Sequence, residues 1–229
     1  MWLFFIGLMI ASMVVGSILN AKIEKYSKEM LPSGMTGKMV AEKMLHDYGI
    51  TDVTVQSVKG KLTDHYNPVD KTLNLSEVTY NRATVAAAAV AAHECGHAVQ
   101  HAYGYKWLTL RSKLVPIVQF GSNWSQWVLL AGMLLMGISN LVSFGQTVLL
   151  IGIVLFGLTT LFSFVTLPVE YNASSRALAW LDSSNITVGL QHDQAKDALN
   201  SAARTYVVAA LSSLATLLYY VMIFLGRRD

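Results

Sequence analysis

Three long runs of this chain carry no Asp, Glu, Lys, Arg or His: residues 1–21, Leu114–Val169 and Thr205–Gly226. A membrane-crossing helix needs about 20 consecutive apolar residues, so these runs have room for one, two and one spans. The pattern predicts spans at Trp2–Leu19, Trp124–Phe144, Thr147–Leu167 and Tyr206–Leu225, with Gly145-Gln146 as the turn of the central hairpin. Trp124, Trp127, Tyr219 and Tyr220 suit either the membrane interface or helix packing. Transporters keep ionisable groups inside their spans for substrate or protons, and spans without them argue against transport.

Between the apolar runs the period changes. Thr36–Tyr48 places Met39, Val40, Met44 and Leu45 at helical spacing, with Thr36 as cap and Gly49 as stop. Thr51–Val58 alternates through Val53, Val55 and Val58, and Lys61–Tyr66 and Lys71–Leu75 flank the turn residues Asn67-Pro68-Val69-Asp70. This predicts a small antiparallel sheet with one hairpin. A long helix is predicted to open near Asn81, run through the alanine-rich stretch 86–92 and end near Gly104. Gly96 inside it costs about 1 kcal/mol relative to Ala, which marks the close approach of another element.

The fold class expected is therefore a mainly α membrane protein, with four transmembrane helices and a small cytosolic α+β domain. Residues 1–20 form an anchor and 21–114 the α+β domain; 115–168 form a transmembrane hairpin, 169–204 a cytosolic helical segment, and 205–229 the last span and a short tail.

Composition agrees: 53% of residues are hydrophobic and 14% charged, too apolar for an ordinary soluble domain. Of the 17 Lys and Arg residues, 12 lie between Lys22 and Lys113, 3 between Arg176 and Arg204, and 2 at Arg227-Arg228. The positive-inside rule then predicts a multi-pass protein of the cell membrane with both polar segments in the cytosol and both termini outside. The first run lacks a basic n-region and a clear small-x-small cleavage site, and Lys22, Lys25 and Lys28 follow it, so it reads as a retained anchor. The net charge of +3 follows from this topology, and no clustered basic groove with aromatics calls for nucleic acid. A single cysteine excludes an internal disulfide and suits a reducing compartment.

The candidate chemistry is concentrated in His93-Glu94-Cys95-Gly96-His97. On a helix the two imidazoles stand four apart on one face, the ligand spacing of a zinc protease. Catalytic Zn²⁺ usually takes three protein ligands and leaves one position open. Glu94, offset from the histidines by about 100° around the helix, is placed as a general base rather than as a ligand. The third ligand must lie on the same side of the membrane, and the chain returns there at Pro168-Val169-Glu170, making Glu170 the candidate. Ser174, one turn on, could hydrogen-bond a ligand. His101 extends the row but stands about 12 Å from His93 along the helix, too far to share one ion. The metzincin pattern fails because Gln100 stands where that pattern has Gly. Cys95 faces away from the metal and reads as packing; His65 reads as a solvated strand end, and His46 and His192 as surface residues.

Together with Leu62-Thr63-Asp64-His65-Tyr66, Ala91–His101, Leu110-Arg111-Ser112 and Val165–Ser174, this motif makes nearly the whole chain resemble the YugP-like membrane-bound neutral zinc metallopeptidases, distantly similar to HtpX-type gluzincins. The resemblance implies a zincin-like domain in which His93, His97 and Glu170 bind zinc and Glu94 is the base. It also implies a strand beside the active helix that pairs with extended substrate, for which Lys71–Leu75 is the local candidate. Related gluzincins commonly carry Asp four residues after the glutamate ligand, where this chain has Ser174. The expected function is zinc-dependent hydrolysis of peptide bonds in membrane-proximal or misfolded proteins, with a polypeptide substrate and the lipid bilayer as partners. The alternative is a non-catalytic, zinc-stabilised membrane scaffold or adaptor, which would have no use for Glu94.

Overall fold

A computed structural model describes residues 2–226; Arg227 and Arg228, the basic pair expected beyond the last span, lie outside the described residues. In chain order the elements are α1 (Trp2–Tyr26), α2 (Gly37–Asp47), β1 (Thr54–Val58), β2 (His65–Asn67), β3 (Thr72–Ser76), α3 (Glu77–Asn81), α4 (Val85–Ala102), α5 (Lys106–Leu135), α6 (Val142–Ser183) and α7 (Leu190–Leu225). The chain divides into two compact units. One comprises residues 1–108 and 168–205, the other 109–167 and 206–229.

The first unit is built around α4. Its alanine-rich half supplies small side chains that let neighbours pack closely, and Ala88, Ala91, Ala92 and Cys95 are buried in one cluster with Val40, Ala41, Met44 and Leu45 of α2. Helix α2 forms as its sequence predicts: the Thr36 side chain accepts from the Met39 N–H, and Gly49 exits at φ +67°. Asp47 at its end accepts from Lys43 Nζ at 2.9 Å and from Trp180 Nε1 of α6 at 3.1 Å. On α7, Asp197 accepts from Lys22 Nζ and the Tyr26 hydroxyl, both at 2.7 Å, joining that helix to the end of α1.

The sheet is mixed, not antiparallel throughout. Its order is β1-β3-β2, with β1 parallel to β3 and β2 antiparallel to β3. The β2–β3 hairpin falls where the turn residues put it, but β3 lies in the middle. Its side chains explain the insertion: Leu73, Asn74, Leu75 and Ser76 are all buried, as a central strand covered on both faces requires. Gln56 Nε2 donates to Asn74 Oδ1 across the parallel pair at 2.6 Å. With both edges of β3 laddered, Lys71–Leu75 is not open to substrate pairing. The strand with one side unpaired next to α4, among the described residues, is β2.

The helix expected from Asn81 to Gly104 is broken at its start. Arg82 and Thr84 are extended, Thr84 bridges Met30, and the Thr84 hydroxyl accepts from Ala87 N–H at 3.3 Å to cap α4. The Ala83 carbonyl accepts from Leu31 N–H and Val85 N–H donates to the Glu29 carbonyl, so this stretch pairs with the segment after α1 instead of extending the helix.

Three described helices are long and apolar enough to cross a membrane, where four were expected: Leu3–Tyr26, Val142–Ser183 and Leu190–Leu225. The expected span Trp124–Phe144 is interrupted, since α5 stops at Leu135 and the chain turns through residues 136–141. Gly137, Ser139 and Asn140 make that turn. Gly145, expected in it, instead lies inside α6, where an added Cβ would meet Met136 N at 2.6 Å. In this second unit Leu129, Met136, Leu149 and Ile153 form a core on which Phe156, Leu217 and Tyr220 pack. Trp124 and Trp127 remain exposed. Helix α6 continues through Pro168 to Ser183 without a break.

Gly96 is a point of close backbone approach in the first unit. A Cβ there would sit 2.6 Å from the carbonyl oxygen of Ala173 and 3.0 Å from its Cα, so α6 crosses α4 backbone to backbone. Gly96→Ala, although it improves helix propensity by about 1 kcal/mol, is expected to destabilise the fold by a net 1–3 kcal/mol through overpacking. Thermal unfolding of the purified chain checks this, and a midpoint equal to or above wild type would refute the close-contact account.

Candidate metal centre

The α4–α6 crossing brings together groups that lie far apart in sequence. His93 and His97, one turn apart, face Glu170, which follows Pro168 and Val169 on α6. His93 Nε2 lies 3.3 Å and His97 Nε2 3.6 Å from the same oxygen, Glu170 Oε2. The two rings meet edge to face at 4.9 Å. Glu170 is buried at 2% exposure. One ligand atom from each of the three residues falls within 4.8 Å of the others, a group able to hold a metal ion.

Hydrogen bonds fix the state of His97. An arginine can only donate, so Asn172 Oδ1, 2.8 Å from Arg176 Nε, is an acceptor. The same oxygen accepts from Gln100 Nε2 at 3.0 Å, and that nitrogen also donates to the Val169 carbonyl at 2.8 Å. Both amide hydrogens of Gln100 are thereby used. Its Oε1, 3.1 Å from His97 Nδ1, must accept from the ring N–H. In the neutral ring the lone pair then sits on Nε2 and points toward Glu170. On His93 the corresponding place beside Nδ1 is taken by the Ser174 hydroxyl at 3.1 Å, the contact expected of Ser174.

This donor set fits zinc. A tetrahedral ion with bonds of about 2.0–2.1 Å holds its ligand atoms about 3.3 Å apart, close to the two separations to Glu170. Lone pairs converging on one point need a positive charge there, whether a metal ion or a proton. Burial pulls the His97 ring toward neutrality, but the hydrogen bond and charge of Glu170, with smaller help from Glu94 and Gln100, push its pKa up. Burial likewise raises Glu170, yet its contacts with His93 and His97 outweigh that and hold its carboxyl far below the usual range.

Glu94 stands beside the cluster without joining it, being 9% exposed. Its Oε2 accepts from the Tyr66 backbone N–H at 3.1 Å, which anchors the carboxylate to β2. The Tyr66 hydroxyl continues along α4 to His101 Nδ1 at 2.8 Å. His101 is exposed and is not part of the three-residue group. His65 is exposed with Nδ1 2.8 Å from the Thr63 carbonyl, His46 is exposed, and His192 Nδ1 lies 3.2 Å from the Thr187 hydroxyl. Cys95 is fully buried on the opposite side of α4, with Sγ 3.5 Å from the Ala41 carbonyl, and burial, followed by the charge of Glu94, pushes its thiol well up.

Sequence reasoning missed Gln100, Asn172, Arg176 and Tyr66. Spacing carried a signal for the first three: Gln100 lies three residues after His97, and Asn172 and Arg176 stand a turn apart just beyond Glu170. Gln100 had been weighed only as a departure from another motif. Tyr66 carried no such signal, because the register of β2 against α4 is a tertiary fact.

A family model described as "Putative neutral zinc metallopeptidase" matches residues 1–225. The chain is 42% identical over 210 residues to "Putative membrane protease YugP" of Bacillus subtilis (strain 168), covering 92% of this chain and 90% of that protein. No solved structure matches. With zinc as the family's metal and a histidine–histidine–glutamate group able to hold it, the chain belongs to this family of neutral zinc metallopeptidases.

Proposed function

We infer that this chain is a membrane-bound zinc-dependent peptidase that hydrolyses peptide bonds, with His93, His97 and Glu170 as metal ligands and Glu94 as general base. The observation that carries the reading is the convergence of both Nε2 atoms on Glu170 Oε2, with the Glu94 carboxylate fixed one residue away. A zinc ion held by these three residues would supply Lewis acidity toward a carbonyl and a water with a pKa near about 7. Glu94 takes the proton of the attacking water and delivers it to the leaving amine. The Tyr66 N–H fixes the carboxylate's orientation for both transfers. Gln100 presents His97 with its lone pair on the metal side, and Ser174 braces His93. A scaffold that kept zinc only for folding would not hold a carboxylate in this position.

The reading places the site on the cytosolic face, supported by the 12 Lys and Arg residues between Lys22 and Lys113. Glu170 follows the end of the third expected span at Leu167 by three residues, which favours membrane-proximal polypeptide as substrate.

Three results are expected. Glu94→Gln keeps one zinc per chain by atomic spectroscopy and lowers kcat for peptide cleavage by at least about 10³-fold, whereas Glu170→Ala loses zinc. Unimpaired cleavage by Glu94→Gln, or full zinc in Glu170→Ala, removes that residue from its role. Gln100→Ala weakens zinc binding about 10–100-fold in competition with a chelator, and an unchanged affinity would show that the amide does not orient His97. Finally, a segment tethered to the cytosolic side of a proteoliposome is cut faster than the same peptide free in solution; equal rates, or cutting only on the outer face, contradict the placement.

A further inference from the structure

A second feature shares the reactive face of α4. Ala86, Ala87 and Val90 stand within about 75° of the direction taken by His93, Glu94 and His97, at 100° per residue. They line a cavity of about 220 Å³ whose other walls include Ile23 of α1, Leu62 and Val78. Among its polar members, Asp64 accepts from Ser76 N–H, the Ser76 and Thr79 hydroxyls contact each other, and the Thr84 hydroxyl caps α4, while Glu24, Ser27 and Lys61 complete the lining. What these groups leave is a mainly apolar hollow. It is smaller than the roughly 300–1,000 Å³ of pockets for whole ligands and several times the roughly 30 Å³ of a water. That size suits one large apolar side chain.

Two observations connect the cavity to the metal centre. The segment from Leu62 to Tyr66 follows α4: Leu62 and Asp64 are in the cavity wall, and Tyr66 reaches Glu94 with its N–H and His101 with its hydroxyl. Val90 and Glu94 are one turn apart, about 6 Å along the axis, the length of about two residues of extended chain. Leu62 is also held in the left-handed region at φ +57° while remaining 45% exposed. A bulky side chain is disfavoured in that conformation, and so much exposure gives it little burial in return. Such strain at a cavity mouth points to a surface that contacts something else.

We propose that this cavity is the specificity subsite of the peptidase, receiving a Leu, Ile, Met or Phe side chain of the substrate no more than two residues from the scissile bond. Its large apolar walls are Val90, Leu62, Val78 and Ile23. The proposal rests on the peptidase reading of the neighbouring centre. Because one methylene group in an apolar pocket discriminates by about tenfold or more, the subsite sets a preference of at least tenfold over Gly at that position.

The test uses the full chain, zinc-loaded in detergent, against a mixture of synthetic 14-residue peptides whose cleavage sites are read by mass spectrometry. Wild type should show the apolar preference at one fixed position within two residues of the cut. Val90→Phe, which fills the cavity, should shift the preference to Gly and Ala. Leu62→Gly, which removes a wall and relieves the left-handed strain, should flatten it without lowering the thermal unfolding midpoint. No apolar enrichment in wild type, or an unchanged profile in both folded variants, overturns the subsite. Binding to the non-hydrolysing Glu94→Gln chain separates the two readings: fluorescein-labelled Ala-based decapeptides with a central Leu should bind at least tenfold tighter than those with Gly, and Val90→Phe should erase the difference. Equal affinities overturn the subsite whatever the cleavage result. A leucine-dependent affinity in a protein that never cleaves keeps the subsite and removes the peptidase.

Discussion

The close contact between Gly96 and Ala173 is the constraint on which the first unit depends. Backbone meets backbone there, and no side chain larger than hydrogen on α4 would allow it. His97 and Glu170 flank the crossing on their own helices, one residue past Gly96 and three before Ala173. The carboxylate can therefore approach both imidazoles while remaining buried, and the amide of Gln100, one turn further, can bond the backbone of α6. Moving the helices apart by the width of a methyl group would break the ligand separations and the Gln100 bonds together.

Electrostatics reinforces that packing. A buried carboxylate is costly unless charge and hydrogen bonds compensate it, and here the histidines do so. The donors and acceptors form a directed series from Arg176 through Asn172 and Gln100 to His97. A half-buried arginine without freedom to accept thus determines which nitrogen of a buried ring carries a hydrogen. The two histidines are braced unequally, one by a rigid amide in this series and the other by a single hydroxyl.

Much of this was legible in the sequence because it follows from local rules. The Thr36 cap, the Gly49 exit, the helical histidine pair and the meaning of Gly96 all depend on neighbours within a turn. Glu170 was reachable by requiring a third ligand on the same side of the membrane as the histidines. The errors concern tertiary choices. Gly145 looks like a turn residue but serves a close helix contact, with the turn made instead by Gly137–Asn140. The order of the strands depended on burying Leu73 and Leu75 together, which periodicity alone does not specify. The break before Val85 came from pairing with Met30, more than fifty residues upstream. Gln100 and Tyr66 acquire meaning only once α6 and β2 are placed against α4.

The separation of the ligands along the chain has one further consequence. His97 and Glu170 are 73 residues apart, so an ion held by both acts as a removable cross-link closing a long loop. Loop closure of this kind restrains the unfolded ensemble more as the loop lengthens, and ion binding then contributes directly to folding free energy. The same atom that equips the protein for chemistry would also tie its two distant segments together, making metal supply a determinant of how much folded protein exists as well as of how active it is.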